Sequence, residues 1–164
     1  MTAPVEPDRW AARLQAAAGR IRAHVAAMPP GVLTSPDPET GERWDPGQLL
    51  AHVVEMLPYW VREAEVVAAA GDGVAFGRVK TDPDRVAAIE RDRREDPYRL
   101  LGRMDEGVAG VLAFVDGLDG AALARSGTHQ TRGRMTVADI VDQFVVAHLE
   151  EHADQIEGVT PPQG

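Results

Sequence analysis

Hydrophobic positions recur at steps of three and four residues along most of the chain, the period of helices that turn one face to a core. In the first run, Trp10, Leu14, Ala17, Ile21, Val25 and Met28 follow Pro7-Asp8, where Asp8 can cap a helix, and Pro29-Pro30-Gly31 ends it. A second run opens at Asp45-Pro46, carries Leu49, Val53, Met56, Trp60, Ala64 and Val67, and closes at Gly71-Asp72-Gly73. Pro58 inside it predicts a kink. A more polar helix is expected from Asp84 to Glu95. Asp96-Pro97 then starts a helix lined by Tyr98, Leu101, Met104, Val108, Val111, Leu112 and Val115, with Gly117 near its end. Thr136, with Asp139 completing a capping box, begins the last helix, which runs to about Glu157.

Between these runs lie a turn-rich connector (31–44), a loop (72–82) and a long connector (117–135) with one helical turn at Ala121–Ala124. No segment alternates as a strand would, and no internal repeat is present. The expected fold is all-α, a four-helix bundle whose long connectors allow parallel as well as antiparallel neighbours. The 164 residues, 44% hydrophobic and 26% charged, suit a single domain with its core over about 8–157.

The formal charge of -9, with no basic run to offset it, argues against nucleic-acid and anionic-membrane partners. No apolar run is long enough to span a bilayer, and the first ten residues lack a signal-peptide pattern. Zero cysteines exclude disulfides, thiolate metal sites and a cysteine nucleophile, and the default location is the cytoplasm. A single lysine, Lys80, no asparagine and abundant Ala, Arg, Val and Gly read as the codon usage of a GC-rich bacterial genome.

The candidate chemistry lies in the histidines. His148 and His152, in H-L-E-E-H on the last helix, are four residues apart and so share one face. In an unbroken α-helix Val137, Val141 and Phe144 fall within about 40° of His148, so both rings stand in the apolar stripe. Buried imidazoles need their nitrogens satisfied, and one metal ion satisfies one nitrogen on each; solvated or hydrogen-bonded histidines are the bland alternative. His52, at the margin of the second helix's stripe, can supply a third imidazole. No fourth ligand is evident, which favours an open coordination position. The H-E-x-x-H motif is absent, because Leu149 stands where that motif has its glutamate, and this argues against a metalloprotease.

Trp44-Asp45-Pro46-Gly47-Gln48-Leu49-Leu50-Ala51-His52 resembles the W-[ST]-x-x-x-[IVL]-[IVL]-x-H segment of the DinB-like superfamily. Gly133 to Ile140, and His148 through His152 to Gln155-Ile156, are similar to that family's G-x-x-T-x-x-x-[IL] and H-x-x-x-H-x-x-Q-[IL] segments. The resemblance spans about 8–157 and departs at Asp45-Pro46, where many relatives carry Ser or Thr. It implies a four-helix bundle with one long crossover connection, holding a divalent metal, Zn²⁺ or Ni²⁺, on His52, His148 and His152. Its relatives include S-transferases that use bacillithiol or mycothiol and a mycothiol-dependent maleylpyruvate isomerase. The leading expectation is therefore a metal-dependent thiol S-transferase acting on small electrophiles, with mycothiol as the thiol suited to a GC-rich source. A metal-dependent hydrolase on the same three histidines and a non-catalytic, stress-related metal-binding bundle are the alternatives. A homodimer through an apolar bundle face is left open.

Other residues have two readings each. Glu55, one turn from His52, is a candidate base or an orienting group, or else a solvated glutamate. His129, in the loop before the last helix, is a proton shuttle or an anchor that holds the loop by hydrogen bonds. Glu151 and Gln155 flank the ligand face and can orient an imidazole, whereas Glu150 is expected to face water. His24, Trp10, Tyr59 and Trp60 read as packing residues, and Arg91–Asp96 as a solvated face.

Overall fold

The computed structural model describes residues 7–25, 33–70 and 72–159, without the side chains of Pro7 and Asp8. The helices are α1 (Pro7–Val25), α2 (Pro46–Ala70), α3 (Pro83–Asp92), α4 (Pro97–Asp116) and α5 (Gly120–Ala124). Three short strands are β1 (Val74–Phe76), β2 (Ser126–His129) and β3 (Gly133–Thr136). The last helix is continuous but not uniform: α6 (Val137–Asp139), a π-helical stretch (Ile140–Val146), then α7 (Ala147–Val159). The expected Asp8 cap, Met28, the Pro29-Pro30-Gly31 stop and Gly71 lie outside the described residues or side chains.

Four long helices form the bundle. α2 packs on α4 and on the last helix, and α1 packs on α7 and α4, so α1 and α2 face each other across the diagonal. Each apolar stripe supplies the shared core: Leu14 and Ile21 from α1, Leu49, Val53 and Met56 from α2, Met104 and Val111 from α4, and Ile140, Leu149 and Ile156 from the last helix are fully buried or nearly so. Tyr98 departs from its stripe and is 69% exposed. It sits in the first turn of α4, two and three residues before the buried Leu100 and Leu101. α2 continues as a single helix through Pro58. Among the described residues no helix is long and apolar enough to cross a membrane.

The capping chemistry is where the sequence places it. The Asp45 carboxylate accepts from the Gln48 amide, and the Gln48 side chain accepts from the Asp45 amide, a reciprocal box at the start of α2. Thr136 and Asp139 make the same exchange at α6.

The strands correct the expectation of a chain without any. β1 pairs in parallel with β2, and β2 pairs antiparallel with β3. They escape a periodicity argument because each is three or four residues long, too short to alternate, and Ser126–His129 is polar in composition. Gly127 makes the parallel pairing possible, since a Cβ there would stand 2.7 Å from the Val74 carbonyl oxygen and 2.8 Å from a Val67 methyl.

Candidate metal centre

His52 is held by α2, immediately after the Asp45 cap fixes that helix's start. His148 and His152 stand one turn apart on α7. The π-helical stretch before α7 changes the angular count made for an unbroken helix. Within it, the Ala147 amide reaches back to the Asp142 carbonyl, a five-residue step that widens the turn and re-aims the side chains of α7. Val137, Val141 and Phe144 are buried, with Phe144 stacked on Trp60 of α2, and His148 and His152 face His52 of the same helix. Trp10 Nε1 and Arg13 both donate to Asp142 and tie this stretch to α1.

The three rings meet. His52 lies 5.2 Å from His148 and 4.9 Å from His152 between ring centroids, and the two α7 rings are 4.5 Å apart. One ring nitrogen from each falls within 4.8 Å of the other two. His52 Nε2 and His148 Nε2 are 3.4 Å apart. Two imidazole donors on a tetrahedral ion, each at about 2.0–2.1 Å, stand about 3.3–3.4 Å from each other.

Hydrogen bonds on the outer nitrogens decide which atoms face inward. His148 Nδ1 donates to the Phe144 carbonyl (3.2 Å), and His152 Nδ1 donates to Gln155 Oε1 (2.7 Å). Oxygens of this kind only accept, so both protons sit on Nδ1 and both Nε2 atoms present lone pairs. His152 Nε2 is buried with no hydrogen-bond partner. His52 Nδ1 lies 3.3 Å from Glu55 Oε2. Lone pairs that face one another inside a core repel unless a cation lies between them, and this arrangement fits a divalent ion.

The electrostatics keep the rings neutral. Burial holds His52 well below the usual imidazole range, and the His152 and His148 rings press the same way. Burial does the same to His148, with His152 next in weight. His152 is pushed down to about 4 by burial, against the pull of its bond to Gln155. Neutral imidazole is the form that binds a metal.

Glu55 is largely enclosed, with its side chain 10% exposed, and is not a solvated glutamate. Burial raises its pKa, opposed by Arg78, which pairs with it and stacks 3.7 Å above the Tyr59 ring. A cavity of about 560 Å³ opens beside it, lined by Glu55, Tyr59 and Arg78 but by none of the three imidazoles. Gln155 contacts the cluster. Glu151 does not: it follows His148 by three residues, projects to solvent and bonds to no imidazole. Glu150 pairs with Arg13 of α1 instead of facing water.

His129 lies elsewhere, against Phe76, Phe144 and Trp60. Its Nδ1 accepts from the Thr131 and Arg132 amides, which matches the loop-anchoring reading. Gly77, at φ +88°, packs directly on this ring, where a Cβ would collide with it. Sequence reasoning misses the basic residues near the cluster, Arg78, Lys80 and Arg85. Arg78 and Lys80 sit in a loop and Arg85 in a charge-rich helix, so neither setting marks them as unusual.

Comparison with known proteins gives a consistent fold. YfiT from Bacillus subtilis, described as "a probable metal-dependent hydrolase with an unusual four-helix bundle topology", is similar with a TM-score of 0.76 and 17% identity, covering 97% of this chain and 88% of that one. A mycothiol-dependent maleylpyruvate isomerase is similar with a TM-score of 0.70 and 11% identity, over 96% of this chain and 64% of that one. A protein from Streptococcus pneumoniae gives 0.66 and 13%, over 96% and 92%. No curated protein matches the sequence. The family model of the DinB superfamily matches residues 13–156, and with its bundle and three-histidine cluster the chain belongs to that superfamily.

Proposed function

We propose that this protein is a metal-dependent enzyme in which His52, His148 and His152 hold one divalent ion, Zn²⁺ or Ni²⁺, and that it transfers a low-molecular-weight thiol to a small electrophile. The observation that carries this reading is the convergence of one ring nitrogen from each of three imidazoles, with no fourth protein donor among the described residues. Such an ion, when bound, supplies Lewis acidity that lets a thiol or a water lose its proton near neutral pH. The protein's own groups prepare the site for it. Phe144 and Gln155 hold the His148 and His152 protons on Nδ1 and so fix both rings. Glu55 stands at His52 Nδ1 and is itself oriented by Arg78. Trp44 packs edge-on at 5.2 Å from His52.

The thiol is supported by likeness to the mycothiol-dependent isomerase, and mycothiol is the proposed cosubstrate. Likeness to YfiT supports a second reading, hydrolysis at the same three histidines. Turnover of a small alkyl halide by the metal-loaded protein, with and without thiol, separates them. Product formation that requires thiol is expected. Activity indifferent to thiol selects the hydrolase, and no activity in either case selects the non-catalytic bundle.

A further inference from the structure

Three cations lie around the imidazole cluster, and two of them are spent. Arg78 pairs with Glu55. Lys80 Nζ lies 2.8 Å from Asp37 and 3.2 Å from Glu39. Arg85 is different: it is only 7% exposed, yet it has no carboxylate within ion-pair distance among the described residues. The one hydrogen bond of its side chain among the described residues is from Nη1 to the Lys80 carbonyl. The rest of its five-donor fork has no acceptor among the described residues. The guanidinium carbon sits over the Trp44 ring, 5.2 Å from the centroid, and the same Trp44 ring stands 5.2 Å from His52. Arg85 is therefore within about 10 Å of the first imidazole, with one aromatic face between them.

A guanidinium whose outer N–H groups have no acceptor among the described residues is open to an incoming anion. In a chain of formal charge -9, acidic side chains are plentiful, yet none among the described residues is placed on this cation. We propose that Arg85, seated on Trp44, binds the carboxylate of a small anionic substrate and presents that substrate's reactive end to the three-imidazole cluster. This deepens the proposed function by naming a substrate class, and it rests on that reading. The shape of the receptor selects a carboxylate, whose planar pair of oxygens matches the guanidinium fork. The Arg85 charge is felt at all three imidazoles, where it disfavours their protonation. Burial, then Arg78, lowers the pKa of Arg85 itself.

The test uses ω-mercaptocarboxylates of two to six carbons, each against its own primary amide, titrated into the cobalt-loaded protein and read by the cobalt visible bands. The expected result is at least one chain length whose carboxylate binds tenfold or more tightly than its amide. That preference is expected to fall to within twofold in Arg85→Gln and to survive in part in Arg85→Lys, which keeps the charge if the first variant folds poorly. Equal binding of acid and amide at every length overturns the proposal, as does a preference that Arg85→Gln leaves intact. Should no thiol move the cobalt bands, the thiol reading fails, and acetate against acetamide decides the anion site separately. Line broadening of acetate alone, lost in Arg85→Gln, upholds the site, and equal behaviour of the two probes overturns it.

Discussion

Two parts of this molecule bury histidines, and they use them in opposite ways. In the α2–α7 cluster, the outer nitrogens of His148 and His152 donate to Phe144 and Gln155, so lone pairs face inward. At the β2–β3 hairpin, His129 Nδ1 accepts from the Thr131 and Arg132 amides, so a neutral ring carries its hydrogen on Nε2, which is buried among aromatic rings. Both places are buried, and both depress the imidazole pKa. Burial and a lowered pKa therefore do not distinguish a ligand from an anchor. The direction of the hydrogen bond on the outer nitrogen does, because it decides whether the inner nitrogen offers a lone pair or a proton.

The largest expected effect concerns metal content. Elemental analysis should find about one ion per chain in the parent and less than about a tenth of that in His152→Ala, since two imidazoles on separate helices make a poor site. His129→Ala should keep the full complement. Loss of metal in His129→Ala, or its retention in His152→Ala, would break the comparison. Next in size is Gln155→Ala, which frees the His152 ring to rotate or change tautomer. Zinc affinity measured by chelator competition should fall about 10–100-fold, the usual effect of removing such a partner. Unchanged affinity would mean that the hydrogen-bond direction at His152 is incidental.

Much of this was legible from residue spacing. Stripes such as Leu49, Val53 and Met56, and the Asp45 and Thr136 caps, are local features whose signals lie within one or two turns. The shared face of His148 and His152 is local too. The features that escaped depend on distant chain segments. β1 and β2 are 50 or more residues apart in register, and each is too short to show alternation. The π-helical stretch carries no distinctive residue in I-V-D-Q-F-V-V; its contacts with α1, including Trp10 to Asp142, come from the far end of the sequence. Glu55 keeps two readings, base or orienting group against solvated glutamate, until Arg78, from the loop after β1, closes over it. Arg85 lies in a helix full of charges, and its lack of a carboxylate partner among the described residues is visible only in three dimensions.

Within the hairpin, His129→Ala is expected to lower stability by about 2–3 kcal/mol in urea unfolding. It loses packing against Phe76, Phe144 and Trp60 as well as two amide bonds. A loss no larger than that of an exposed residue would show that the ring anchors nothing.

The smallest effect is the most specific, because it reads the tautomer of His129. Burial, with Arg132 adding to it, lowers the pKa of this ring below its ordinary value. The unfolded chain takes up the proton near pH 6.5, and the native chain only at lower pH. Between those two points the unfolded state binds more protons, so stability rises with pH across that window. The contribution of His129 is therefore complete above about pH 6.5 and is lost as the pH falls through the lowered native value. Protonation places a hydrogen on Nδ1, the atom that accepts from Thr131 and Arg132, so the charged ring has to give up both amides. Urea midpoints at pH 7.5 and pH 5.0, taken with excess zinc so that the cluster does not titrate, measure this directly. The parent should lose more stability on acidification than His129→Gln, whose side chain has no proton to gain. Parallel losses in the two proteins would mean that Nδ1 is not the acceptor, and the distinction between anchor and ligand would have to be drawn on some other ground.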